Sequence, residues 1–231
     1  MLRSIRIISI AFVLSLFFPL LNAQASESEK VTYDNLPVDL RRCIVKTCLP
    51  TNDFKNWLYV SKKWRQATQE VLASVYFLPD PLNQNIENSE LRFFTNLTLL
   101  NLTSNSKVTN KSVSKLTNLT HLNLTFNEKI NNCLKRLNKL QVLILKCNNM
   151  VQNEHITTLT NLTELNLSCD MLLPSNPNIL PCIASSSITP DAIEKLPKLT
   201  LDTVVLDKNP HREKIEEILA KRTPTKTDPD C

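Results

Sequence analysis

The sequence predicts an α/β solenoid with a small helical module on its N-terminal side. Three features carry the prediction. A leucine frame returns at fixed steps between Phe94 and Leu173, a helix-period stretch precedes it from Leu36 to about Leu72, and an apolar run with a charged start opens the chain. A fixed period of this size marks a stack of units, none of which can bury its apolar edge without neighbours.

The frame is L-x-x-L-x-x-L-x-L-x-x-N. It reads Leu97, Leu100, Leu102, Asn105; then Leu119, Leu122, Leu124, Asn127; then Leu140, Leu143, Leu145, Asn148; then Leu162, Leu165, Leu167, Asp170. Equivalent leucines stand 22, 21 and 22 residues apart. Each L-x-L pair alternates with period two, so it forms a short strand with both leucines on one side. The asparagine amide both donates and accepts, which suits a place where the chain turns. Asp170 only accepts when ionised, and a weaker ladder is expected there. After each asparagine comes an arc with spacing of three, as in Val108, Asn110, Val113 and Leu116. A damaged fifth copy runs through Ile188, Ile193, Leu196 and Leu199 to Val204, Leu206 and Asn209. Pro174, Pro177 and Pro181 break any regular element between Pro174 and Ser187, which is an insertion or a decayed repeat.

These residues resemble the leucine-rich-repeat family over roughly half of the chain. The resemblance implies strands on the concave side and helical or 3₁₀ arcs on the convex side. It is specific for fold and silent about ligand.

The stretch from Leu36 reads as two short helices. Leu40, Ile44 and Val45 share one face, Pro50 ends the first helix, and Phe54, Trp57, Leu58, Val60 and Trp64 follow. The order Leu36-Pro37, Ile44, Asp53-Phe54, Leu58 and Val60-Ser61-x-x-Trp64 is similar to the F-box, with five residues from Ile44 to Leu49 where the family has four. That resemblance implies docking on the adaptor subunit of a cullin–RING ubiquitin ligase through Leu36, Pro37, Ile44, Phe54, Leu58, Val60 and Trp64. Ile44, Leu58 and Trp64 are the ones expected to fill the module's own core. The other reading is a helical cap that shields the first repeat.

Residues 1–25 read as a secretory signal. Arg3 and Arg6 form the charged start, Ile7 to Leu21 is a fifteen-residue apolar run, and Ala23-Gln24-Ala25 is a small-x-small cleavage site. The run is short of the ~20 residues a spanning helix needs, although an uncleaved anchor is the alternative. Cleavage takes away two arginines, leaving 206 residues and lowering the net charge from +5 to +3. Proteins that pair an F-box with leucine-rich repeats occur among bacteria living inside eukaryotic cells. The resemblance therefore implies a protein exported from its source and acting in host cytoplasm; otherwise it sits in the periplasm, at the cell surface or outside.

The expected organisation is a signal over 1–25, the F-box-like module over 26–75, a linker or N-terminal cap over 76–93, and repeats over 94–210 with the insertion at 174–187. A cap helix and tail over 211–231 complete it, with Ile215, Ile218 and Leu219 on one helix face.

Glycine is absent, against an average near 7%. Turns at positive φ then fall to asparagine, with Asn131-Asn132 and Asn148-Asn149 as candidates. The lysines and arginines form no strip, so nucleic acid is not expected as a partner. Lys62, Lys63 and Arg65 read as a solvated helix face. Seven cysteines show no C-x-x-C spacing, so no metal site and no cofactor are expected. Cys147 and Cys169 share a repeat position, either as a disulfide or as two thiols. His121, His155 and His211 are scattered, and Cys231 at the terminus has no positioned base, so catalysis is not expected. The sequons at Asn101, Asn123 and Asn166 are part of the repeat.

Function is expected on the concave face, where a protein partner would meet outward-pointing strand residues. One row is Leu99, His121, Val142 and Glu164. A second is Asn101, Asn123, Ile144 and Asn166, and a third contains Lys146. Together with Phe126 they give an apolar centre inside a polar rim.

Overall fold

A computed structural model describes residues 36–48, 61–75, 78, 85–169 and 187–222. The signal, Phe54, Leu58, Val60, Asp170 and most of the insertion lie outside these residues.

Helix α1 (Val38–Cys48) and helix α2 (Lys62–Ala73) pack against each other. Ser61 caps α2, its hydroxyl oxygen accepting the Trp64 N–H at 3.4 Å. Trp64, Ala67, Thr68, Val71 and Leu72 are buried, following the three-and-four spacing of one helix face. Thr68 closes its hydroxyl onto the Trp64 carbonyl at 2.8 Å, so a polar side chain enters the core with its bond made. Arg42 of α1 grips Glu70 of α2 through Nε at 3.0 Å and Nη2 at 2.6 Å. That hydrogen bond, with help from Gln66, holds the Glu70 carboxyl below the usual carboxylate range.

Among the described residues the repeats form one parallel sheet of five strands in sequence order: β1 (Leu99–Asn101), β2 (His121–Asn123), β3 (Val142–Ile144), β4 (Glu164–Asn166) and β5 (Val204–Val205). Leu100, Leu122, Leu143, Leu165 and Val204 stand side by side in the inward row. The helical pair and the repeats share one apolar core, which runs from Leu36 and Trp64 through Ile86 and Phe94 to Leu219. Burying each leucine of this row against its neighbours contributes about 2 kcal/mol, and no single repeat can provide that burial alone.

Among the described residues five short arcs alternate with the strands: α3 (Asn88–Leu91), α4 (Asn110–Val113), a 3₁₀ turn (Asn132–Arg136), α5 (Asn153–Ile156) and α6 (Pro190–Glu194). Helix α3 stacks on α4, so the stretch read as a linker or cap supplies an arc of its own. β4 pairs directly with β5. Helix α7 (Arg212–Ala220) packs on α6 with Ile215 and Leu219 buried and Ile218 packed against the core. Beyond it, the Arg222 guanidinium donates to the carbonyls of Ile193, Glu194, Leu196 and Leu199 at 2.7–3.3 Å, closing the C-terminal end of α6 and the turn after it.

The turn asparagines behave as their chemistry predicts. Asn127 Nδ2 donates to the carbonyls of Leu102 (3.0 Å) and Asn105 (2.9 Å), while its Oδ1 accepts the N–H groups of Lys129 and Ile130. Asn148 repeats this one turn on, with Leu124, Asn127, Met150 and Val151. Asn105 reaches back to Ile86 and Asn209 to Leu167.

The positive-φ expectation needs correction. Among the described residues the left-handed positions are Ser104, Phe126, Cys147 and Lys208, at φ 52–55°. Asn131 and Asn148 are not among them. All four stand one residue before a ladder asparagine, at Asn105, Asn127, Asn148 and Asn209. The amide ladder claims the asparagine, and the left-handed turn falls on whatever precedes it. Each such residue costs about 1–2 kcal/mol relative to an ordinary conformation.

Candidate functional site: the open face of the sheet

A three-residue strand with one inward leucine presents its two flanking residues on the other face. The register aligns those residues into rows. Leu99, His121, Val142 and Glu164 are direct partners across β1 to β4, as are Asn101, Asn123, Ile144 and Asn166. Leu99 is 41% exposed, His121 and Glu164 are exposed, and Val142 and Ile144 are half-buried. Lys146 is half-buried just past β3, and Phe126 is 39% exposed just past β2. The rows read from the sequence are thus brought together side by side.

The asparagine row has an orientation that spacing alone does not reveal. Asn123 Oδ1 accepts both the Thr125 N–H (2.9 Å) and the Thr125 hydroxyl (2.7 Å). Asn101 does the same with Thr103, and Asn166 with Ser168. A main-chain N–H can only donate, so the oxygen must face the turn and the amide nitrogen must face away from it. Among the described residues no acceptor receives those Nδ2 hydrogens. The face therefore offers amide donors on both sides of the apolar pair Val142 and Ile144.

The sequence missed Val205. It continues the asparagine row beside Asn166 and is 41% exposed, with Asp207 beyond it. The signal was the alternation within Val204-Val205-Leu206, in which the middle residue points outward.

The helical module divides the residues that the F-box resemblance singled out. Leu36 and Trp64 are buried, Ile44 is half-buried against the core, and Pro37 is exposed. Trp64 and Ile44 thus sit where the module's own core was expected, but Leu36 is also interior. The exposed apolar residues of α1 are Val38 (40%) and Leu40 (38%), which flank Asp39 beside Pro37.

Several of the remaining nucleophiles and titratable groups are tied into the scaffold. Burial pushes the Cys133 thiol up to about 12, so it is unreactive as a thiolate. His155 is buried; its Nδ1 accepts the Gln152 N–H at 2.9 Å and its Nε2 stands 3.0 Å from Asn132 Oδ1. That bonding makes it the third-residue partner of Gln152 in the capping box that opens α5, a role its scattered position hid. Burial lowers its pKa, against the pull of Glu154. His121 Nδ1 meets the Thr120 hydroxyl at 2.8 Å. Cys147 and Cys169 bring their sulfurs within 3.6 Å across neighbouring repeats. No group of three residues able to hold a metal occurs among the described residues. No described helix is long and apolar enough to cross a membrane.

No protein-family model matches the chain, and no curated protein is similar to it. Among solved structures, it is similar to internalin C2 from Listeria monocytogenes at 19% identity and a TM-score of 0.34, over 68% of this chain and 84% of that one. It is also similar to internalin F of the same organism at 19% identity and a TM-score of 0.35, over 65% of this chain and about half (53%) of that one. The repeat architecture itself rests on the strand register and the asparagine ladder.

Proposed function

We propose that this chain is a non-enzymatic protein-binding scaffold whose partner seats on the open face of the sheet. The carrying observation is the set of outward amide donors at Asn101, Asn123 and Asn166 around Val142 and Ile144. A partner with one apolar anchor flanked by carbonyl or carboxylate oxygens fits this arrangement. Leu99, His121, Phe126, Lys146, Glu164 and Val205 form the rim. Replacing Val142 and Ile144 with Glu tests the site. The double variant is expected to keep its circular dichroism and melting temperature and to lose partner capture at least about tenfold. Unchanged capture overturns the site.

The finer reading is that the F-box-like module recruits a cullin–RING ligase while the repeats hold the protein to be ubiquitinated, with export through residues 1–25. Exposed Pro37, Val38 and Leu40 favour it, since an apolar strip at the start of α1 is available to an adaptor. Purified adaptor subunit titrated into residues 26–231, with a Val38→Glu/Leu40→Glu control, decides it. These residues are better controls than Leu36, whose truncation opens a cavity in the core. Absence of adaptor binding by a folded chain leaves an exported or surface repeat protein whose helical pair is only a cap.

A further inference from the structure

A second surface lies at the C-terminal end of the sheet. The groove between β5 and α7 encloses about 690 Å³. Its apolar part includes Leu201 and Val205, 40% and 41% exposed, and its rim includes Asp207, Glu213, Glu216 and Glu217. Among the described residues Arg212 is the single cation lining it, and it is engaged with Glu216 at 2.7 Å. Lys221 pairs with Glu217 at 2.8 Å. Asp207 and Glu213 take part in no ion pair among the described residues, so the groove is acidic on a chain of net charge +5.

The main chain points the same way. Leu102, Leu124, Leu145 and Leu167 each donate an N–H to the next strand, reaching the carbonyls of Asn123, Ile144, Asn166 and Val205 at 2.8–2.9 Å. Leu206 holds the same place just after β5, and among the described residues no strand follows. Helix α7 packs on the arc side of this end, and among the described residues nothing pairs with the strand edge. An open edge beside an apolar floor is the template for strand addition.

We propose that this groove binds an extended, lysine- or arginine-bearing peptide segment of a partner protein, which adds to the sheet as a sixth strand. Its main chain takes the Leu206 N–H, alternate apolar side chains rest on Leu201 and Val205, and its cations face Asp207 and Glu213. A second copy of this chain is a poor occupant, because joining two β5 edges sets the same carboxylates against each other.

The test is an amide-resolved NMR titration of the full chain with two blocked hexapeptides, one alternating lysine with valine and one alternating glutamate with valine. The lysine peptide is expected to shift the amides of Val205 to Asp207 and of α7 saturably, and the glutamate peptide to leave them unmoved. Asp207→Lys/Glu213→Lys is expected to weaken the response at least about tenfold. Val142→Glu/Ile144→Glu is expected to leave it intact, which separates this groove from the open face. Equal response to both peptides, persistence in the charge-reversed variant, or no shift at millimolar peptide overturns the proposal. So does a concentration-dependent dimer that protects the Leu206 amide.

Discussion

Two rows of asparagine run through the same repeats and do opposite things. In the turn row, Asn127 is 1% exposed and uses both ends of its amide, two donations and two acceptances. Four residues earlier, Asn123 sits half-buried on the open face and has only its oxygen engaged, at Thr125. Side-chain chemistry is identical, so the difference lies in what surrounds it. An amide ringed by main chain is consumed by the fold, whereas one facing solvent keeps its donors for something else. A side chain's residual hydrogen-bonding capacity, rather than its identity, separates framework from candidate recognition here.

The largest expected effect that sharpens this contrast is Asn127→Ala. It orphans buried donors and acceptors of two repeats at once and is expected to cost about 3 kcal/mol in urea unfolding. Asn123→Ala is expected to cost under about 1 kcal/mol while weakening partner capture. If the two variants unfold alike, the contrast collapses. Arg222→Ala follows at about 2 kcal/mol, because four carbonyls of α6 and its turn lose a charged donor. Ser104→Gly works in the other direction. It relieves left-handed strain at the cost of chain entropy, for a net gain of up to about 1 kcal/mol in thermal melts.

The smallest effect is a pH dependence. Burial holds the folded His155 pKa below the ordinary value, so the unfolded chain takes up a proton first. The associated stability is fully present above about pH 6.5 and is lost as pH falls toward the folded value. His155→Gln is expected to flatten that slope in melts between pH 7.5 and 5, and an unchanged slope would assign it to other groups.

Much of the repeat architecture was legible because period alone fixes it. Leu122 and Leu143 must be neighbours, and His121 and Val142 then share a row. The turn row was legible from amide chemistry. The left-handed positions were not, because Ser104, Phe126, Cys147 and Lys208 share no property; only their place before the ladder asparagine selects them. A second set of caps was equally hidden. Asn88 Oδ1 accepts the Thr109 N–H, Asn110 Oδ1 accepts the Asn131 N–H, and Asn153 Oδ1 accepts the Thr189 N–H, each linking one arc to the next at 2.8–2.9 Å. Those residues are spaced like the repeat but sit in its variable half, where the leucine frame gives no guide. For the helical pair, spacing found the shared face of Ile44 and Val45 but placed Leu40 on it, which is exposed, and did not reveal that Leu36 belongs inside with Trp64.

The direct pairing of β4 with β5 has a consequence for how such a chain changes length. Val108, Ile130 and Val151 open successive arcs 22 and 21 positions apart, yet Ile188 follows Val151 by 37. Ile188 is nonetheless buried, and Ser187 donates its hydroxyl to the Asn149 carbonyl at 3.3 Å, so the stack resumes in phase. Fifteen residues are therefore surplus to the stack, and excising 171–185 restores a step of 22. The solenoid carries a splice point at which sequence can be lost or gained without reindexing anything downstream, a natural port for grafting a foreign loop.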